Sequence, residues 1–105
     1  MNAGAKLIAD DQVILESKGS GVIVSCPPQI DGLIEARGIG VLHAPAAGPT
    51  ALSLVVDLGR TETERVPPQR NTVLLGHAFP VIYRVDSPHF ALFLLHLLSY
   101  GRSDR

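Results

Sequence analysis

The chain has 105 residues, enough for one domain with one core and no more. An apolar fraction of 46% against 18% charged residues excludes a disordered chain, and a net charge of −1 gives no general attraction for nucleic acid or anionic lipid. The single cysteine, Cys26, excludes an internal disulfide framework and fits a reducing compartment; before Pro27-Pro28 it reads as a small strand-end residue rather than a nucleophile.

Residues 1–6 carry neither a basic n-region nor a long apolar h-region, so no signal peptide is read. Residues 7–15 read as an apolar strand, interrupted by Asp10 and Asp11. Neighbouring side chains in a strand point to opposite faces, so one of the two carboxylates should face whatever the strand covers. A buried, unpaired carboxylate is costly. The doublet is therefore either the solvated edge of a turn or the working part of a site. Residues 18–21 are turn chemistry, and residues 21–25 read as the return strand of a hairpin with a loop of about three to five residues. Pro27-Pro28 ends the pairing.

Residues 29–36 read as one or two helical turns with Asp31 as N-cap candidate, followed by a short extended piece at 38–42 and a small-residue loop at 44–49. Residues 51–58 read as a strand that is apolar on both faces near its end, which predicts a central place in the sheet. Residues 59–70 are polar and read as a solvated linker. Residues 72–75 and 79–85 read as two strands around Gly76-His77. Ser87-Pro88 then starts a helix, expected to run from about Pro88 to Tyr100 and to stop at Gly101. It is apolar on most sides and should pack against the sheet or another subunit. The apolar run at 90–98 is broken by His96 and falls far short of the roughly 20 residues that span a bilayer. His89 and His96 share a face with Ser99; two lone histidines are poor grounds for a metal site. The end of the chain, residues 101–105, is expected to fray.

Three groups carry chemistry-bearing residues. The first is Asp10-Asp11. The second is the stretch 33–40, in which Glu35 and Arg37 precede Gly38 and Gly40; those glycines allow close backbone approach. The third is Arg60, Arg65 and Arg70 in the polar loop, suited to phosphate through charge-assisted hydrogen bonds. Each group also has a plain reading: a solvated strand end, an exposed Glu35–Arg37 ion pair, and solvated loop arginines. Together they are the parts of a phosphoryl-transfer site. No G-x-x-x-x-G-K-[ST] sequence occurs in the 105 residues.

Residues 4–13, followed by 33–41, resemble the C-terminal catalytic domain of HPr kinase/phosphorylase, in its short single-domain proteobacterial form. Val55-Val56-Asp57-Leu58 and Glu64-Arg65-Val66-Pro67 follow in the family's order, and the resemblance covers about Gly4 to Tyr100. It implies an α/β, β-rich fold: a mixed sheet of the P-loop HPr-kinase/PEP-carboxykinase-like type with a C-terminal helix. It also implies a serine kinase/phosphorylase that acts on HPr of the sugar phosphotransferase system. ATP, or pyrophosphate in some members, and Mg²⁺ serve as cofactors. In this resemblance Asp11 matches the carboxylate that takes the serine proton and returns it in reverse. Asp10 matches its neighbour, which holds a metal-bound water shell or orients Asp11. Glu35 matches a Mg²⁺ ligand, and Arg37, Gly38 and Gly40 belong to the signature lining the site. Arg65 matches the arginine that stabilises charge on the moving phosphoryl group. The resemblance further implies a homo-oligomer, commonly a hexamer. A cytoplasmic protein with no nucleic-acid or membrane partner is the expectation from the charge, the single cysteine and the lack of a readable leader or spanning run.

The sequence departs from the family upstream of the doublet, where the family carries a strand, a phosphate loop ending in Gly-Lys-Ser and a helix. The expectation is a chain lacking about 40 residues of that region, by strand, loop and helix geometry. Either the protein is longer than this chain or the gene is a remnant. The 105 residues alone are then expected to be weak or inactive as a kinase. A "P-V-R-x-G-R-N" element before the last helix is not matched by residues 83–88, and no role is carried there. Two other readings stand beside the enzyme: a non-catalytic module that docks HPr or a homologous subunit, and an unrelated small β-rich protein.

Overall fold

The computed structural model describes residues 5–102. They form two compact units. The first comprises the described residues as far as Ser53 together with Val73–Phe79; the second comprises Leu54–Thr72 and the described residues from Pro80 onward.

In the first unit β1 (Ile14–Lys18) and β2 (Gly21–Ser25) form an antiparallel hairpin, paired from Ile14↔Ser25 to Lys18↔Gly21. The connection is therefore Gly19-Ser20, two residues rather than the expected three to five. Gly19 takes φ 60°, the left-handed conformation that a tight hairpin turn demands and glycine supplies without strain. β5 (Thr50–Ala51) pairs with the other side of β2. With neighbours on both sides, β2 buries alternate residues: Val22 is 1% exposed and Val24 7%. Leu7 and Phe79 join them in the core of this unit.

The expected strand over 7–15 is not continuous. Leu7 makes an isolated parallel bridge to Ala46, donating its N–H to Pro45 O (2.8 Å) and accepting from Ala47 N–H (2.7 Å). The chain then bends at Asp10-Asp11, and the ladder starts only at Ile14. The bend takes both carboxylates out of a strand that would have buried one of them.

Residues 29–36 are not helical beyond one 3₁₀ turn, Pro28–Ile30. Asp31 follows that turn in extended conformation instead of capping a helix start. Gly32, at φ 72°, redirects the chain into β3 (Leu33–Ala36), which pairs with β4 (Gly40–His43) from Leu33↔His43 to Ala36↔Gly40.

The second unit is built on β6 (Val55–Thr61), which runs parallel to the later part of β8 (His77–Arg84), with a register shift between Asp57 and Thr61. β7 (Asn71–Leu74) reaches β8 through Leu75-Gly76, both at positive φ. The strand order β6-β8-β7 makes β8 central. The expectation placed residues 51–58 there, as one strand. That stretch is split between β5 and β6, and β6 has a hydrogen-bonded neighbour on one side only. The alternation of Phe79 and Val81, 7% and 6% exposed, marks the covered strand better than an unbroken apolar run does. Parallel and antiparallel pairing coexist, so the sheets are mixed in sense, and the fold is β-rich with one C-terminal helix.

That helix, α1 (Phe90–Tyr100), begins two residues later than Pro88. Ser87 organises the preceding turn rather than the cap: its Oγ accepts from His89 N–H (3.2 Å) and its carbonyl from Phe90 N–H (3.2 Å). The stop at Gly101 is as expected, with φ 75° and its N–H donated to Leu97 O (2.8 Å). α1 buries none of its residues, and Leu92, Phe93 and Leu98 are each more than 60% exposed. No helix of the described residues is long and apolar enough to cross a membrane. The expected fraying of 101–105 falls, from 103 on, outside the described residues.

Only five apolar residues are buried among those described, so each counts. Val22→Ala is expected to lower unfolding stability by about 2 kcal/mol in urea melts, while Ile39→Ala, at a 78% exposed position, stays within about 0.5 kcal/mol.

Candidate functional site

The Asp10-Asp11 bend is a γ-turn. Gln12 donates its N–H to Asp10 O at 2.7 Å, two residues back, and the central residue Asp11 has φ 67°. This form of γ-turn is rare and strained. Asp and Asn tolerate positive φ better than most residues, which is why the position accepts an aspartate. Asp10 is half-buried and its Oδ2 accepts the backbone N–H of Glu35 at 2.7 Å; Asp11 is exposed.

Glu35 lies on β3 and is also exposed. It shares a strand face with Leu33, and the hairpin register sets Val41 directly opposite it. A cavity of about 370 Å³ is lined by Asp10, Asp11, Gln12, Ile30, Leu33, Glu35 and Val41. A second, of about 280 Å³, is lined by Asp10, Asp11, Glu35 and Arg37. The three carboxylates thus border an apolar cavity and a polar one, with Arg37 in the latter. Arg37 forms no ion pair among the described residues, so the simple Glu35–Arg37 surface pair is not formed. Gly38 (φ 84°) sits in the β3–β4 connection, and Gly40 (φ 135°) opens β4. Among the described residues, no atom beyond the flanking ones lies within 4 Å of where their Cβ would be, so their need is conformational, in a tight turn, rather than a close contact within the chain.

Four cavity-lining residues escape the sequence reading: Gln12, Ile30, Leu33 and Val41. Leu33 and Val41 carried a signal, since alternation from Glu35 and a β3–β4 hairpin would have put both beside it. Reading 29–36 as helical turns erased it.

Asp10, Asp11 and Glu35 offer the hard oxygen donors that Mg²⁺ prefers. Among the described residues, however, no group of three or more His, Cys, Asp or Glu side chains converges as a metal cage. This donor set fits a cation held by one or two carboxylates together with water and phosphate oxygens, and does not fit a cation enclosed by the protein alone.

Arg65 belongs to the second unit. It lines a cavity of about 210 Å³ with Glu62, Glu64, Pro67, Arg70, Tyr83 and Arg102, among others, and has no ion-pair partner among the described residues. The three loop arginines do not act as one cluster. Arg70 is committed: Nε and Nη2 donate to the two oxygens of Glu62 at 3.0 Å each, Nη2 also reaches Glu64 (3.2 Å), and the guanidinium lies 4.8 Å from the Tyr83 ring centroid. Arg60 pairs loosely with Asp57 (3.7 Å), donates to the Tyr83 hydroxyl (3.3 Å) and lies 5.7 Å from the ring centroid. Arg102 donates to the carbonyl of Pro67. Polar spacing alone gave no sign of the Glu62–Arg70–Tyr83 arrangement, which depends on the return of β8.

The Arg70 hydrogen bonds hold the Glu62 carboxyl below the usual carboxylate range, against a smaller opposing effect of burial, and the same bonds raise Arg70. Burial, aided by Asp31, pushes the Cys26 thiol up, which agrees with a strand-end residue and not a nucleophile.

The fold is that of a known enzyme structure. The HPr(Ser) kinase/phosphatase from Coxiella burnetii superposes with a TM-score of 0.74 over 90% of this chain and 69% of that one, at 23% sequence identity. At that identity the likeness is one of fold, and it agrees with the β-rich, mixed-sheet architecture and C-terminal helix expected from the sequence motifs. No protein-family model matches the sequence. No match is found among curated proteins either.

A lowered Glu62 contributes stability above its unfolded-state value, and that contribution is lost as pH falls through the folded-state value. Thermal melts of Glu62→Gln are therefore expected to fall below wild type at pH 7, with the gap closing as pH drops below the ordinary glutamate range, about 4.3. A gap that stays constant down to pH 3 would contradict the ion-pair assignment.

Proposed function

We propose that the chain carries a phosphoryl-transfer site for a serine of an HPr-type phosphocarrier protein, using ATP or pyrophosphate with Mg²⁺. The observation that supports it most is the convergence of Asp11, Glu35 and Arg37 on one cavity in a chain with the HPr(Ser) kinase/phosphatase fold. Asp11, exposed and lining that cavity, takes the proton of the serine hydroxyl as its oxygen bonds to phosphorus and the phosphorus–oxygen bond to the departing ADP, or phosphate in the case of pyrophosphate, breaks; in reverse, with inorganic phosphate as the attacking group, it returns the proton to the leaving serine oxygen. Glu35 would hold Mg²⁺, which when bound would supply positive charge to the phosphate oxygens. Arg37 adds a positive group beside the carboxylates, and Gly38 and Gly40 shape the turn that carries it. Arg65 stabilises charge on the transferring group; sequence resemblance alone supports that role. The exposed apolar residues of α1 fit a homo-oligomer, and the lone Cys26 fits the cytoplasm.

The 105 residues contain no G-x-x-x-x-G-K-[ST], so the loop that cradles phosphates in nucleotide sites is not among them. Much of the positioning and charge stabilisation of phosphoryl transfer comes from such a loop. This favours a second reading, a module that docks HPr or a homologous subunit and transfers no phosphate.

Labelled-phosphate transfer from ATP to HPr serine, with Mg²⁺, tests both. The 105-residue chain is expected to turn over at least about a hundredfold more slowly than an HPr kinase that carries a phosphate loop. Asp11→Asn is expected to lower the residual rate by a further factor of about 100 or more. Asparagine also tolerates positive φ, so that loss would belong to the missing base and not to the turn. Full turnover by the chain would refute the expected weakness, and an Asp11→Asn variant as active as wild type would refute the base. HPr binding with no transfer at all would favour the docking module.

A further inference from the structure

The ladder of β3 and β4 leaves a specific gap. Ala44 donates its N–H to Gly32 O at 2.9 Å, so the opposed pairs 32/44, 34/42 and 36/40 are the hydrogen-bonded ones in this antiparallel hairpin. Leu33 and Glu35 then point their N–H groups away from β4. Among the described residues β3 has no second strand partner. Its outer edge at Glu35 is satisfied by a side chain 25 residues away: Asp10 Oδ2, at 2.7 Å. Asp10 does two things at once. Its carbonyl accepts from Gln12 N–H and closes the γ-turn around Asp11, while its carboxylate accepts from Glu35 N–H.

We infer that Asp10 is a positioning residue: by gripping the Glu35 backbone it fixes where Asp11 and the Glu35 carboxylate stand relative to each other. The inference rests on the phosphoryl-transfer reading for why that spacing matters, and on the two hydrogen bonds for the grip itself. One oxygen of Asp10 is committed to a backbone donor, which separates its task from that of the other two acids. The grip needs an acceptor atom in this place and not a negative charge. Asparagine supplies such an acceptor; alanine does not. A role as metal ligand or as holder of a metal's water shell would instead need the carboxylate, and asparagine and alanine would then fail alike.

The bond is measurable in the wild-type chain, without nucleotide, metal or HPr. A through-hydrogen-bond coupling between the Glu35 amide nitrogen and the Asp10 side-chain carboxyl carbon is expected by NMR, and its absence would overturn the inference. Amide hydrogen exchange supplies the variant test. Exchange at Glu35 is expected to speed up about tenfold or more in Asp10→Ala, as a charge-assisted bond is lost, and to stay within about threefold of wild type in Asp10→Asn. Amides of Val22 and Val24 in the same unit serve as the control for folding. Unchanged Glu35 exchange in Asp10→Ala, or equal acceleration in both variants, would overturn the inference. A chain that shows the coupling yet neither binds HPr nor transfers phosphate would support the grip and refute the functional reading.

Discussion

The hydrogen bond from the Glu35 backbone to Asp10 is the constraint on which the candidate site depends. The two segments that meet there are 25 residues apart in sequence, and neither is anchored to the other by a continuous strand. Leu7, buried to 7% exposure, pins the start of the first segment against residues 45–47. Three residues later Asp10 pins it again, now on β3. Between these points and the start of β1 the chain is free to make the γ-turn that exposes Asp11. A residue with φ 67° at the centre of such a turn is costly unless its surroundings hold it. Here two backbone–backbone contacts at Leu7 and one side-chain contact at Asp10 do so. The strained residue, like Asp10 and Glu35, lines both cavities.

The second unit follows a different logic. Its charged loop is organised by pairing rather than by backbone strain. Arg70 is held by the Glu62 carboxylate, whose side chain is only 7% exposed, and lies over the Tyr83 ring. A guanidinium committed to both an acid and an aromatic face is a structural element. That commitment distinguishes Arg70 from Arg65, which lines the same cavity with no ion-pair partner among the described residues. The identity of the arginine available for an anionic group is therefore decided by its neighbours and not by its place in a polar run.

The residues that stood out in the sequence were easier to read than the elements around them. Asp10-Asp11 and Glu35-Arg37 stood out as two of three groups, because carboxylates in an apolar run and a glycine-flanked acid–base pair are hard to explain by packing. The structure brings these four to one cavity. The β7–β8 pair and the glycine stop of α1 were legible for local reasons: turn residues at 75–76 and a left-handed glycine at 101. The misread strands depended on pairing with residues outside their own segments. Residues 33–36 have no strong preference, and only β4, formed beyond a glycine turn, makes them a strand. β6 looked central because it is apolar on two faces, yet β8 holds that place, flanked by β6 on one side and β7 on the other. The γ-turn could not be read at all, because it depends on Glu35 supplying a donor from elsewhere in the chain.

In the proposed function the first unit's carboxylate cavity is the face that meets the phosphate-accepting protein. The most direct measurement is an amide NMR titration of this chain with an HPr-type phosphocarrier. Shift changes in the first unit are expected to concentrate on residues 10–12 and 35–41. Binding that leaves these residues unmoved, or no binding at all, would contradict it.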